Sequence, residues 1–179
     1  MQDDQSGSGT AAEGRRSTPL KLEEFVRELA PGARLIGVDV GTKTLGLALS
    51  DVSRMIASAL ETLRRGKFRD DLARMREIAR EHGVGGYVVG LPLNLDGSQG
   101  PRAQAARAFA RNLAQATGAP VLLWDERLST AEAERMLIAA DASRRRRAEV
   151  IDKLAATIIL QGALDRMRHR ADEGPVASE

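Results

Sequence analysis

The chain contains no cysteine. That excludes disulfides, thiolate zinc sites, iron–sulfur clusters and cysteine nucleophiles, and it fits a reducing compartment. Histidine is nearly absent: His82 and His169 stand far apart, so a metal centre in this protein has to be built from carboxylates. With one Trp, one Tyr and three Phe, base stacking is a poor basis for ligand binding. Long apolar runs are missing too. The charge-free stretch 83–95 falls short of the roughly 20 residues that a membrane span needs, and Gly and Pro punctuate it. Residues 1–19 are rich in Ser, Gly, Thr and Asp without an apolar core, which reads as a solvated tail and not a secretory leader, so a cytoplasmic location is expected. No internal repeat with a period of 20–50 residues is visible.

What is present is charge, unevenly spread. The net charge of +2 hides a basic middle: residues 31–170 carry 23 basic and 16 acidic side chains, while both ends are acidic. Arg outnumbers Lys 23 to 4, which suits bidentate phosphate contacts, although codon usage alone produces the same bias. A chain of 179 residues favours one core. The expected organisation is a tail over 1–20, a single domain over 21–170 and an acidic tail over 171–179.

The pattern of apolar residues gives an α/β order. Runs at 35–40 and 44–50 around the turn Gly41-Thr42-Lys43 read as a hairpin, and a third strand at 59–63 continues it. Leu72, Met75, Ile78 and Ala79 mark a helix over 68–82 that ends at Gly83. A buried strand over 86–91 leads through a loop at 92–100 to a helix over 101–117, with Pro101 in its first turn and Ala105, Ala108, Phe109 and Leu113 expected on its inner face. A strand at 120–124 follows, then a helix to about residue 140 begun by the capping box of Ser129 and Glu132. The Arg144–Arg147 run is expected as a loop before a last helix over 150–167. The sheet starts antiparallel and finishes parallel.

Three acidic positions stand out on this framework. Asp39 lies among Ile36, Val38 and Val40, where an ionised carboxylate is costly unless paired or bound to metal; alternatively it ends the strand and caps the turn. Asp125 and Glu126 follow Val121-Leu122-Leu123-Trp124 at the end of an interior strand, where α/β sheets present ligand sites. Strand alternation turns the two to opposite faces, and Glu126 is the expected metal-facing acid, with Asp125 orienting Arg127 or the loop. The plain alternative is an acidic cluster ahead of a helix. Asp152 shares the i, i+3, i+4, i+7 face of Ala155, Ala156 and Ile159, a face whose small residues suit close packing on a sheet; an ion pair with a preceding arginine is its plain alternative. Acids on separated segments could together form a cage for Mg²⁺ or Mn²⁺, both of which prefer oxygen ligands and bridge phosphates. Nucleic acid is the natural polyanion for such a site. Arg102, Arg107, Arg111 and the run Arg144, Arg145, Arg146 and Arg147 are candidate phosphate contacts, with a merely solvated face as the other reading of the run. The 91–100 loop ahead of a helix N-terminus could hold a phosphate, without the lysine or spacing of a P-loop.

Four ordered segments resemble one family: Ile36-Gly37-Val38-Asp39-Val40-Gly41-Thr42-Lys43-Thr44-Leu45-Gly46 continuing to Asp51, Gly90-Leu91-Pro92-Leu93-Asn94-Leu95-Asp96-Gly97-Ser98, Asp125-Glu126-Arg127-Leu128-Ser129-Thr130, and Asp152-Lys153-Leu154-Ala155-Ala156 through Gln161. Over about residues 34–165 the chain is similar to the YqgF-type, Holliday-junction-resolvase-like nucleases. The resemblance implies a ribonuclease-H-like α/β fold, with a mixed five-stranded sheet and helices on both faces. It implies a metal-dependent nuclease acting as monomer or homodimer on structured RNA precursor or branched DNA, with processing of the 5′ end of 16S ribosomal RNA precursor as the proposed role and junction resolution as the older one. The family's acids map onto Asp39, Glu126 and Asp152, with a metal role for Asp125 left open. Thr42, Lys43, Asn94, Ser98, Arg102 and Arg127 join the Arg run as expected nucleic-acid contacts. A non-catalytic nucleic-acid-binding protein of the same fold is the main rival. An actin-like ATPase would need a second domain and a second phosphate hairpin, which the sequence does not show.

Overall fold

The computed structural model describes residues 18–128 and 144–173. Helix α1 (Leu22–Glu28) precedes the hairpin strands β1 (Arg34–Val40) and β2 (Thr44–Ser50) and strand β3 (Ala57–Arg64). Helix α2 (Phe68–His82), strand β4 (Val84–Leu91), helix α3 (Pro101–Thr117) and strand β5 (Val121–Asp125) follow; a 3-10 turn (Glu126–Leu128) then leads away, and α4 (Arg144–Glu173) is the last helix. The strands lie in the order β3-β2-β1-β4-β5. β1, β2 and β3 pair antiparallel, and β1–β4 and β4–β5 pair parallel. This is the ribonuclease-H-like arrangement expected from the sequence.

Alternation along each strand splits the core between the two faces of the sheet. Ile36, Val38, Leu45, Leu47 and Val89 pack with Leu72, Met75 and Ile78 of α2 and Phe109 and Leu113 of α3. Phe68 and Phe109 join these helices edge to face, with ring centroids 5.6 Å apart. On the opposite face, Leu35, Ala48, Val88, Leu122 and Trp124 pack with Phe25 of α1 and Ala156, Ile159, Leu160, Ala163 and Leu164 of α4. Gly83 (φ +65°) and Gly118 (φ +69°) end α2 and α3 in the left-handed conformation that glycine adopts without strain.

The structure corrects several expectations. The buried face of α3 is Ala103, Ala106, Phe109, Ala110, Leu113 and Ala114, while Ala105 is exposed and Ala108 only half-buried. So many alanines make every face of this helix look apolar, and only Phe109 and Leu113 fix the direction. Helix α1 was not foreseen: seven residues are too few to show a period, yet Phe25 is fully buried. Leu20 bridges to Leu122, with its N–H bonded to Val121 O at 2.8 Å, so the folded part begins inside the expected tail. Helix α4 begins at Arg144, not 150, and runs to Glu173. Arginine is a strong helix former and no Gly or Pro interrupts 144–161, so the run is the helix's first turn instead of a loop. The expected helix begun by Ser129 and the tail over residues 1–17 lie outside the described residues. Among the described residues no helix is long and apolar enough to cross a membrane.

Candidate active site

The face of the sheet under α4 is lined at one end by residues that leave room. Asp39 pairs with Gly46 across the hairpin. A Cβ on Gly46 would stand 2.1 Å from the main-chain oxygen of Asp152, so only glycine allows α4 to lie there. On β4, a Cβ on Gly90 would meet Ile159 Cδ1 at 2.4 Å and Glu126 Oε1 at 2.5 Å. The same alternation that points Leu122 and Trp124 toward α4 sends Glu126, two positions on, to that face, and it sends Asp39 there two positions after Gly37. Asp39, Glu126 and Asp152 thus come from β1, the end of β5 and α4 to one end of one face.

Their electrostatics follow from that placement. Asp39 is 9 % exposed. Burial first, and then the Asp152 carboxylate, push its pKa up to about 6, against a smaller opposing effect of Arg102. Glu126 is pushed up to about 7 by burial and then by the charge of Asp39, with Arg102 again opposing. Asp39 is therefore electrically coupled to both other acids, and Arg102, exposed in the first turn of α3, is the cation common to Asp39 and Glu126. Asp152 accepts a hydrogen bond on Oδ2 from Thr44 Oγ1 at 2.5 Å. Among the described residues no three acidic or histidine side chains are gathered tightly enough to form a closed metal cage. Like charges that repel across a low-dielectric space hold one another apart. The donor set nonetheless fits a hard divalent cation: all ligands are oxygens, and the two raised carboxylates carry negative charge that burial and repulsion make costly.

Asp125 goes the other way. Arg127 donates to it from Nε at 3.0 and 3.1 Å, from Nη2 at 2.7 Å and from its main-chain N–H at 3.0 Å. These hydrogen bonds lower the pKa of Asp125. Its partner guanidinium lies against the β4–α3 loop, with Nη1 3.4 Å from where a Gly97 Cβ would be. The Arg127 expected at nucleic acid is thus engaged with Asp125.

That loop is closed on itself. Asn94 donates from its main chain to Ser98 O at 3.0 Å and from Nδ2 to Ser98 Oγ at 2.8 Å, while Gly97 N–H bonds to Asn94 O at 2.8 Å. Ser98 N–H donates to Asp96 Oδ1 at 2.9 Å, so the loop's own carboxylate takes an amide that a phosphate cradle would use. Arg107, expected at phosphate, donates to Gln99 at 2.7 Å. Thr42 and Lys43 are exposed at the tip of the hairpin beside Asp39. The side chains of Arg144 to Arg147 lie outside the description. Thr44 escaped the sequence reading; the only signal for it was its place two residues before Gly46, on the same face of β2.

Comparison with known proteins agrees with this geometry. The chain matches the profile of the RuvX family, described as Holliday junction resolvase, over residues 33–166. A protein of Cereibacter sphaeroides, provisionally named a pre-16S rRNA nuclease, is 59 % identical over 146 residues, which is 82 % of this chain and 91 % of that one. A protein of Bradyrhizobium sp. with the same provisional name is 60 % identical over 148 residues, covering 83 % and 92 %. The structure of T. thermophilus RuvC in complex with Holliday junction substrate aligns with a TM-score of 0.49 and 17 % identity, over 79 % of this chain and 96 % of that one. By profile and by identity, the chain belongs to the RuvX family of Holliday junction resolvase-like proteins.

Proposed function

We propose that the protein is a metal-dependent nuclease that hydrolyses phosphodiester bonds and that it processes the 5′ end of 16S ribosomal RNA precursor in the cytoplasm. The observation that carries the reading is the pair Asp39 and Glu126: two buried carboxylates, coupled to each other, with Asp152 coupled to the first. Buried like charges are kept where they serve a site. Asp39, Glu126 and Asp152 would hold Mg²⁺ or Mn²⁺, which supplies a polarised phosphate and an acidified water. Arg102 attracts the phosphate to the acids and tempers their repulsion. Thr42 and Lys43, and Asn94 and Ser98 across the site, border the path of the strand, and Arg127 braces the 94–98 loop through Asp125. The side chains of Arg144 to Arg147 belong to the same reading as contacts to distal phosphates. The relatives' provisional name supports ribosomal RNA precursor as the substrate; the family's description supports four-way DNA junctions as the second reading.

The test offers the purified protein an RNA spanning the 5′ boundary of 16S ribosomal RNA and a four-way DNA junction, each with Mg²⁺, Mn²⁺ or chelator. Metal-dependent cleavage at the RNA boundary is expected. Cleavage confined to the junction would establish the second reading, and binding without cleavage of either substrate would leave a non-catalytic nucleic-acid-binding protein.

A further inference from the structure

We propose that Thr44 is a positioning residue for Asp152, holding that carboxylate beside Asp39 against their mutual repulsion so that the site can take up a divalent cation. The inference rests on the nuclease reading above. Thr44 opens β2 and Asp152 lies 108 residues away in α4, yet Thr44 Oγ1 donates to Asp152 Oδ2 at 2.5 Å. A threonine hydroxyl has one proton to give, and here it goes to the carboxylate. The bond fixes one oxygen of Asp152 and leaves Oδ1 free of it.

The donor is itself held in place. Gly41 N–H bonds to Thr44 O at 2.9 Å, and a Cβ on Gly41 would stand 2.9 Å from Thr44 O and 3.3 Å from Oγ1, so the turn closes tightly around this residue. Arg65 pins the same turn, donating from Nη1 to Gly41 O at 2.7 Å and from its main chain to Lys43 O at 2.9 Å. On the other side, the main chain of Asp152 rests on Gly46. Backbone contact at Gly46 therefore fixes where Asp152 sits, and the Thr44 bond fixes where its carboxylate points. Asp152 raises the pKa of Asp39, so the two charges face one another at short range. Without the donor, the Asp152 carboxylate would be free to turn away from its neighbour.

The test uses the full chain and reads metal binding without nucleic acid. Mn²⁺ is titrated calorimetrically into wild type, Thr44→Val, which keeps the shape and removes the donor, and Thr44→Ser, which restores it. Loss of such a supporting bond weakens metal affinity by about 10–100-fold. The valine chain is expected to fall in that range and the serine chain within about twofold of wild type. Steady-state cleavage should show a raised Mn²⁺ requirement for Thr44→Val, with an unchanged KM for nucleic acid at saturating metal. Thr44→Ala repeats the measurement if the valine chain does not fold. A lower melting temperature with wild-type Mn²⁺ affinity would make the bond merely structural and overturn the inference, while a wild type that neither binds Mn²⁺ nor cleaves would overturn the nuclease reading itself.

Discussion

At the scale of single residues, the carboxylates of Asp39 and Glu126 define the site by being expensive. Their folded pKa values, about 6 and about 7, lie above the ordinary 3.8 and 4.5, so the native state holds these protons more tightly than the unfolded chain does. Stability from this source is complete below pH 4 and is lost as pH rises through 6 and 7. In chelator, the protein should therefore become less stable between pH 5 and pH 8, by on the order of 3 kcal/mol for the coupled pair. Added Mg²⁺ should restore more stability at pH 8 than at pH 5, where protons compete for the same oxygens. Urea midpoints across that range measure both effects, and a flat profile in chelator would contradict the burial argument. Asp39→Asn removes one of the charges: it should flatten the profile, raise the midpoint at pH 8 and abolish cleavage, because the amide keeps the shape but cannot hold the cation. Wild-type turnover by that variant in excess metal would remove Asp39 from the ligand set.

The adjacent acids at the end of β5 make a second test at this scale. Glu126 lies on the α4 face over Gly90, and Asp125 is bound to Arg127 on the other side. Glu126→Gln is expected to cut the cleavage rate by orders of magnitude at saturating metal. Asp125→Asn keeps an acceptor for Arg127 but weakens its grip, and should lower the rate about tenfold or raise the metal concentration required, as changes behind a ligand do. Cleavage rates over a Mn²⁺ series distinguish the two, and the reverse ranking would exchange their roles.

At the scale of elements, the lesson concerns what a pattern in sequence encodes. Strand β2 and helices α2 and α3 have the limits that the apolar spacing and the Gly caps predict, because in each a long period meets an unambiguous stop. Two features were illegible for physical reasons. Alanine fits either side of a helix, so the inward face of α3 could not be read from it. Charge does not separate loop from helix, so the Arg run concealed the true start of α4. Of the candidate site, the acids were legible because an ionisable group in an apolar run is an anomaly, whereas Thr44 was not, since a threonine opening a strand is ordinary until α4 is seen to cross it. The glycines under α4 make this crossing testable. Gly46→Ala would bring a methyl to 2.1 Å from the Asp152 main chain, where neither strand nor helix can yield by a side-chain rotation. Overpacking of this kind costs typically 1–3 kcal/mol. The variant should lose about that much stability in urea and, because Asp152 is displaced, should also require more metal for cleavage; stability and metal requirement both unchanged would mean that α4 does not lie on β2 in solution.

At the scale of the whole molecule, charge is arranged around the acid site in a way that makes attraction for polyanions and cation binding complementary. Residues 31–170 carry the basic excess, with Arg102 beside the acids, Lys43 at the hairpin tip, and Arg144 to Arg147 in the first turn of the helix that carries Asp152 two turns later. Placing the run at the start of α4 changes what it can do: consecutive helical positions point about 100° apart, so four arginines cannot all face one strand. About two of them should contact phosphates while the others are solvated. Replacing all four with Ala, which preserves the helix, should therefore reduce the slope of log affinity against log salt by about 1.4 for a single strand or about 1.8 for a duplex, at 0.7 or 0.9 per phosphate contact. Binding measured by anisotropy over a salt series, with Ca²⁺ in place of the catalytic metal, gives the slope directly. A fall of twice that size would place all four at phosphates and require α4 to unwind at its start on binding, while an unchanged slope would make the run a solvated end of the helix and leave Arg102 and Lys43 to steer the nucleic acid.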